Sequence, residues 1–307
     1  MVPESLRAGL IGRSVRAFAP AKLNLALRVT GRRPDGLHLL EMYNVLLDFG
    51  DELEFRFLAP GVRRIAVRIE GDAGVVVPAE CCRVESNLAS RAASDLFDAI
   101  GLDLGFEIEL VKRIPLGTGM GGGSSDAAAV LRLIVDTVGP LGVPTEVLER
   151  TALALGADVP FFLDGRAAFV SGIGERIEPH PNHPLARCEC VVVFPPISVP
   201  TPRAYQLYRE AFPSVPAPGR LLRDEASGRD PREFIRNDLS GVVGAAFPPV
   251  RECLERLSGV AGCAAGMTGS GSALFVVPRD GLKLPRGGLE AVQSAARCPC
   301  VETTVRG

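Results

Sequence analysis

Two α+β domains are what this 307-residue sequence predicts, and three observations carry the prediction. Strand-like alternation fills the N-terminal third and gives way to helical spacing near residue 87. A strand, a glycine-rich loop and an alanine-rich helix then follow one another between residues 106 and 138. The end of the chain orders its elements as strand, strand, helix, strand, which builds a two-layer second domain. The domains are expected to cover residues 1–180 and 181–307, with the active site in the cleft between them.

Residues 15–18, 22–29, 51–57 and 64–69 read as strands because they alternate, or run apolar, between Pro, Gly and Asp. Over 87–100 the period changes, placing Leu88, Ala92, Leu96 and Ile100 on one helical face with Asn87 as cap. A strand over 106–114 delivers the chain into the glycine loop. Helices are expected over 124–138 and 145–155, parted by Gly139 and Pro140. Beyond Asp158 come a hairpin (167–171 and 175–179) and a buried strand over 190–194, closed by Pro195 and Pro196. Residues 211–230, with Pro213, Pro216, Pro218 and Gly219, have the composition of a surface loop. Helices over 232–239 and 250–257, strands over 262–267 and 273–277, a helix over 289–296 and a strand over 301–305 complete the chain.

Composition excludes several function classes. At 47% hydrophobic and 23% charged residues this is an ordinary globular protein, and its net charge of −2 with scattered arginines leaves no footprint for nucleic acid. The N-terminus lacks the apolar core of a secretory signal, and no apolar run reaches the ~18 residues of a membrane span. A cytoplasmic protein with no membrane partner is the expectation. Eight cysteines without a C-x-x-C pair, and three histidines, argue for reduced thiols rather than a zinc site.

The glycine loop, Ile114-Pro-Leu-Gly-Thr-Gly-Met-Gly-Gly-Gly-Ser-Ser-Asp126, has the outline of a phosphate cradle. Glycine lets an anion approach backbone N–H groups, and the helix that follows favours negative charge at its N-terminus. A Walker A loop is excluded because Gly123 is followed by Ser124 with no lysine. The Rossmann pattern is met by Gly117-x-Gly119-x-x-Gly122, yet helix, Gly-Pro and helix follow where a second strand with an acidic end is required. What remains is a long nucleotide loop of another kind.

Pro115-x-x-x-Gly119-Met-Gly121-Gly-Gly-Ser124-Ser125 resembles the glycine-rich motif of the GHMP kinases, whose usual form is Pro-x-x-x-Gly-Leu-Gly-Ser-Ser. The extra glycines and the following Asp126-Ala-Ala-Ala look most like the branch that phosphorylates 4-diphosphocytidyl-2-C-methylerythritol in the non-mevalonate isoprenoid pathway. Further blocks stand in the family's order: Pro20-Ala-Lys-Leu-Asn-Leu25, Gly31-Arg-Arg-Pro-Asp-Gly36 with His38, Leu155-Gly-Ala-Asp-Val-Pro-Phe-Phe162, Asn237-Asp238-Leu239 and Met267-Thr-Gly-Ser-Gly-Ser272. The resemblance implies a ribosomal-S5-like N-terminal domain, a ferredoxin-like C-terminal domain, and ATP and Mg2+ as cofactors. It implies a cytidine diphosphate-linked alcohol as the small-molecule partner, and a monomer or homodimer.

By the same resemblance, Pro115, Leu116, Gly117, Thr118, Gly119, Met120, Gly121, Gly122, Gly123, Ser124 and Ser125 hold the triphosphate. Ser124 and Ser125 can donate hydroxyls or ligate magnesium, or simply cap the helix. Asp126 reads as a complement to the helix dipole. Asp158 is either an N-cap with Pro160 in the first turn or, as the family's Gly-x-Asp-x-Pro aspartate, the residue that orients or deprotonates the acceptor hydroxyl. Leu23, Leu25 and Leu27 share one strand face, which puts Lys22 and Asn24 together on the other. The resemblance places Lys22 beside Asp158 and Asn24 on the substrate, and assigns His38, Thr201 and Tyr205 to the acceptor. Leu37 stands where the family has a base-stacking tyrosine and Met42 where it has a threonine, so a platform of Tyr205 with Leu37 as aliphatic lid is expected. A kinase for another small alcohol, of the homoserine or mevalonate type, and a non-catalytic ligand-binding member of the fold are the alternatives.

Overall fold

The computed structural model describes residues 4–71, 78–139, 142–214, 222–226 and 229–307. After helix α1 (Glu4–Leu10), strands β1 (Ser14–Arg32) and β2 (His38–Leu58) run antiparallel over almost their full lengths. The sequence reading divides β1 in two and starts β2 only at residue 51. Bulges at Pro20/Lys22 and Asn24/Ala26 interrupt the alternation of β1, and the first half of β2 is covered on both faces, so neither shows a clean period of two.

Strand β3 (Arg63–Ile69), helix α2 (Leu88–Ile100) and strand β4 (Gly105–Lys112) follow. Asn87 caps α2 as expected, its Oδ1 accepting the Ala89 N–H at 2.9 Å. The chain then forms α3 (Gly122–Thr137), α4 (Thr145–Leu155), α5 (Val159–Asp164) and the hairpin β5 (Ala168–Gly172) and β6 (Arg176–Pro179). Pro140, read as part of the stop after α3, lies outside the described residues, as do 215–221 and 227–228 of the expected surface loop.

The second half contributes β7 (Glu189–Val193), α6 (Thr201–Ala211), α7 (Leu222–Ala226), β8 (Arg236–Asn237), α8 (Ser240–Ala246) and α9 (Pro248–Ser258). It ends with β9 (Cys263–Met267), β10 (Leu274–Pro278), α10 (Gly288–Ala296) and β11 (Cys300–Thr304). Among the described residues the strands make two sheets. The larger has the order β3-β4-β2-β1-β8, with β5 and β6 continuing from β2, and the smaller is β11-β7-β10-β9, antiparallel throughout. That second order, with helices connecting alternate strands, is the ferredoxin-like arrangement.

The helix expected over 232–239 is corrected to a 3-10 turn (Pro231–Phe234) and the short strand β8, parallel to β1 at Ala26 and Leu27. Asn237 explains the change. Its Nδ2 donates to the carbonyls of Met267 (2.9 Å) and Gly269 (2.8 Å), and its Oδ1 accepts the Leu239 N–H at 2.9 Å, so this backbone is held extended against β1 and β9.

One buried ionic cluster fixes the start of the glycine loop. Lys112, the last residue of β4, bonds Asp51 in β2 and Asp126 in the first turns of α3, the latter at 2.7 Å, and none of the three is more than 4% exposed at its side chain. The other oxygen of Asp51 accepts the N–H groups of Arg113 (2.6 Å) and Ile114 (2.9 Å). Burial, with Asp51 adding to it against the pull of Lys112, holds the Asp126 carboxyl well above the usual carboxylate range. Burial works against charge on Lys112, but the two carboxylates outweigh it and keep the ammonium above its ordinary value. The cluster sets one ammonium between two carboxyl groups, of which Asp126 keeps its proton more readily than usual.

Lys112→Met leaves Asp51 without a counter-ion in a dry site and is expected to destabilise the fold by about 3–5 kcal/mol in urea unfolding. Asp126→Asn resembles the protonated state and is expected to cost less. Because the Asp126 value is raised on folding, its contribution to stability is complete in acid and is lost as the pH rises through the raised value; Asp126→Asn flattens that slope.

Candidate active site

The chain leaves β4 and crosses the cleft as an irregular loop whose shape is held by its own groups. Thr118 Oγ1 donates to the Pro115 carbonyl at 2.7 Å, Met120 buries its side chain, and the Met120 carbonyl accepts the Lys22 N–H at 3.1 Å. Gly121 takes φ +73°, and a Cβ there would lie 2.6 Å from the Phe162 ring, so both conformation and space require glycine.

Gly121 is also the N-terminal cap of α3, which begins at Gly122 rather than at residue 124. The two serines therefore lie inside the first turns and neither caps the helix. Ser125 is corrected as a phosphate or magnesium ligand: it is buried, and its hydroxyl donates to the Pro20 carbonyl at 2.7 Å. Ser124 remains on the cleft wall. The first bond of the helix runs from the Ser125 N–H to the Gly121 carbonyl at 2.9 Å, so the N–H groups of Gly122, Gly123 and Ser124 come before the helical ladder and can take an anion. Asp126 faces the Lys112 cluster, away from any role in chemistry.

Lys22 and Asp158 meet beside this helix end, with Nζ 3.6 Å from Oδ2. Asp158 occupies the cap position of α5 but accepts no cap hydrogen bond, which leaves its carboxylate available. The Lys22 side chain is 5% exposed and that of Asp158 34%, so the ammonium is enclosed while the carboxylate opens to the cleft. Lys22 Nζ also donates to Asn24 Oδ1 at 2.7 Å. Asn24 is fully buried, its Nδ2 donating to Asn44 Oδ1 (2.6 Å) and Met42 Sδ (3.2 Å). The structure thus brings Asn24 to the lysine rather than to the open cleft.

Pro115, Leu116, Gly117, Thr118, Gly119, Met120, Gly121, Gly122, Gly123 and Ser124 line one side of a cleft of about 420 Å³, with Lys22 and Asp158 in its wall. Leu27, Leu40, Met42, Thr201 and Tyr205 also line it. Thr201 shares a hydrogen bond with Ser270 at 2.9 Å. Burial, and then the nearby Asp158 carboxylate, push the Tyr205 phenol well up, so it stays protonated.

The expected pairing of Tyr205 with Leu37 is corrected. His38 stacks on Tyr205, with ring centroids 5.1 Å apart and planes at 23°, while Leu37 is 49% exposed. Burial, followed by the charges of Arg32 and Arg209, lowers the His38 imidazole from its ordinary value. In its neutral form, which this shift favours, the ring has one donor and one acceptor nitrogen.

Leu88, Ile173, Gly269 and Ser270 also line the cleft, and Thr268 lies behind it, none of them anticipated as site residues. The second glycine loop was the available signal for the last three. Its role was hidden because glycines for close backbone packing and glycines for phosphate binding look alike in sequence.

Residues 87–166 match the family model for the GHMP kinases N terminal domain, and residues 215–296 that for the GHMP kinases C terminal domain. The chain is 39% identical over 258 residues to the 4-diphosphocytidyl-2-C-methyl-D-erythritol kinase of Chromobacterium violaceum, covering 84% of each protein. To the enzyme of the same name from Burkholderia mallei it is 39% identical over 267 residues, 86% of this chain and 85% of the relative. A crystal structure of 4-(cytidine 5'-diphospho)-2C-methyl-D-erythritol kinase superposes with a TM-score of 0.72 at 35% identity, over 95% of this chain and 100% of the other. Homoserine kinase from Cytophaga hutchinsonii shares the fold, with a TM-score of 0.62 at 18% identity over 95% of each chain. By its two matching domains and its relatives over most of its length, the chain belongs to the GHMP kinase family.

Proposed function

We propose that this protein is an ATP-dependent kinase that phosphorylates the 2-hydroxyl of 4-diphosphocytidyl-2-C-methyl-D-erythritol, a step in non-mevalonate isoprenoid precursor synthesis. The observation that carries the reading is the Lys22–Asp158 pair, 3.6 Å apart, at the open N-terminus of α3. Phosphoryl transfer needs positioning and charge stabilisation more than covalent chemistry, and these elements offer both. The relatives of the same name, at 39% identity, supply the acceptor.

The open N–H groups of Gly122, Gly123 and Ser124 bind phosphate oxygens of ATP. Magnesium, which binds triphosphate while keeping much of its water, suits a site that offers a hydroxyl rather than an acidic cage; Ser124, on the cleft wall, would hold it. Bound there, the ion would neutralise charge on the phosphates. Asp158 takes the proton of the acceptor hydroxyl as its oxygen bonds the γ-phosphorus, and the bond from that phosphorus to the β,γ-bridging oxygen breaks to release ADP. Lys22 balances the charge that develops on the transferring group. Thr201, Tyr205 and His38 receive the cytidine end, the base meeting a phenol already backed by an imidazole.

Offered ATP with the cytidine-linked alcohol, homoserine and mevalonate in separate assays, the purified protein is expected to phosphorylate the first; turnover of homoserine alone would sink this acceptor. Asp158→Asn is expected to lower kcat about 10²- to 10⁴-fold and leave ATP affinity, measured by calorimetry, within about twofold. A wild-type rate in that variant means the base is another group.

Cytidine diphosphate affinity has a predicted pH profile. Because the His38 value is lowered from its ordinary 6.5 on folding, the neutral imidazole predominates at that pH, and affinity is expected to level off above it. Affinity falls as the pH drops through the lowered value and the ring charges. Calorimetric titration between pH 5 and 8, repeated on His38→Gln, checks this: the variant should lose the acid-side fall.

A further inference from the structure

The segment Gly266-Met-Thr-Gly-Ser-Gly-Ser272, the end of β9 and the loop after it, has the composition of a phosphate cradle, but much of its backbone packs on protein. A Cβ at Gly269 would come 2.6 Å from the Gly119 carbonyl oxygen, and the Ala273 N–H donates to the Thr118 carbonyl at 3.3 Å. Backbone lies directly on backbone, and this loop braces the one that faces the cleft.

Thr268 sits at the centre of that brace with no exposed surface. Its Oγ1 accepts the backbone N–H of Asn24 at 2.9 Å and donates to Asn24 Oδ1 at 3.4 Å. Strand β8 pairs with β1 only at Ala26 and Leu27, so at Asn24 a hydroxyl completes the edge of β1 where a strand would otherwise be needed. The amide of Asn24 is held at both ends. Asn44 Oδ1 and Met42 Sδ take its Nδ2, while Thr268 Oγ1 and Lys22 Nζ, at 3.4 and 2.7 Å, take its Oδ1.

A lysine ammonium on a flexible stem, 3.6 Å from a carboxylate, moves toward a tighter pair unless another acceptor restrains it. Asn24 Oδ1 is that acceptor. We propose that Thr268 is a positioning residue for phosphoryl transfer, setting the Asn24 amide and through it the Lys22 ammonium opposite Asp158. This rests on the kinase reading above. The second glycine loop is then a strut that ties the catalytic strand β1 to the smaller sheet.

Thr268→Val removes the hydroxyl at nearly constant shape, and Thr268→Ser keeps it. The valine variant is expected to lower kcat roughly 10- to 100-fold while KM for ATP stays within about twofold, and serine restores the rate. Thr268→Ala, which also lacks the hydroxyl, is the second variant, and thermal melting confirms that each is folded. In a Lys22→Met background Thr268→Val should cost nothing further, since the hydroxyl acts through the lysine; full multiplication of the two losses overturns the proposal. So does a rise in KM for ATP with kcat unchanged. A crystal structure of Thr268→Val reads the same relay without any acceptor: Asn24 turned and Lys22 Nζ displaced is the expected result, and unchanged positions refute it. Failure of the wild-type protein to phosphorylate the cytidine-linked alcohol counts against the acceptor, while the crystal structure still decides the role of Thr268.

Discussion

Lys112 between Asp51 and Asp126 is the contact on which the nucleotide site depends, because it joins the three segments that must agree for the cradle to exist. Asp51 belongs to β2, Lys112 ends β4, and Asp126 lies in the first turns of α3. Asp51 also takes the two backbone N–H groups where the chain turns out of the sheet. The loop from Pro115 to Gly121 is thus suspended between two points held by the same ammonium. An anion site made of backbone N–H groups is useful only if those groups are already aimed when the ligand arrives, since realignment would consume the interaction energy. Packing reinforces the arrangement: a Cβ at Gly122 would lie 3.2 Å from both Lys112 Nζ and Ile114 side-chain carbons, so the first helical residue sits tightly against the cluster and any side chain there would make its neighbours give way.

The same physics divides the charged groups into two sets. Lys112 is sealed away with its carboxylates and keeps its charge by pairing. Lys22 is equally enclosed, but its counter-charge, Asp158, stands at 3.6 Å with a third of its side chain open. A loose pair at the edge of solvent leaves room for a third group; a tight buried cluster leaves none. That contrast separates the two lysines by role: Lys112 holds the loop and Lys22 faces the cleft.

The sequence made the cradle legible because glycine spacing, the preceding strand and the following alanine run are local signals. Asn87 as a cap and the side-by-side placing of Lys22 and Asn24 were readable for the same reason. The long strands were not, since bulges break the alternation of β1 and two-sided burial removes it from β2. Ser125 looked like a ligand because helix starts are uncertain by a residue or two, and here that shift turns the hydroxyl from the cleft to the Pro20 carbonyl. Strand β8 was read as helix because its cause, the side chain of Asn237 reaching carbonyls thirty or so residues away, is a tertiary contact that no local pattern reports. The Lys112 cluster escaped for a related reason: its partners lie 61 and 14 residues off and each alone is an ordinary surface residue type.

Acceptor choice is carried by far fewer groups than the fold. Proteins sharing only 10–18% identity with this chain keep the architecture, among them homoserine and mevalonate kinases, so architecture cannot select the acceptor. On the function proposed above, the choice falls to side chains in and behind the cleft wall, Tyr205 and the His38 stacked on it first among them. Leu37 is exposed and lacks an aromatic face, but the His38–Tyr205 stack places a π surface and two hydrogen-bonding nitrogens in one unit. A neutral imidazole suits the edge of a cytosine, which presents both donors and acceptors, better than a charged one would. Burial acts first on that property, and the positive charges of Arg32 and Arg209 then add to it, disfavouring protonation of His38. On the proposed acceptor, recognition of the base then depends on how one ring is buried and on two arginines, one on β1 and the other on α6.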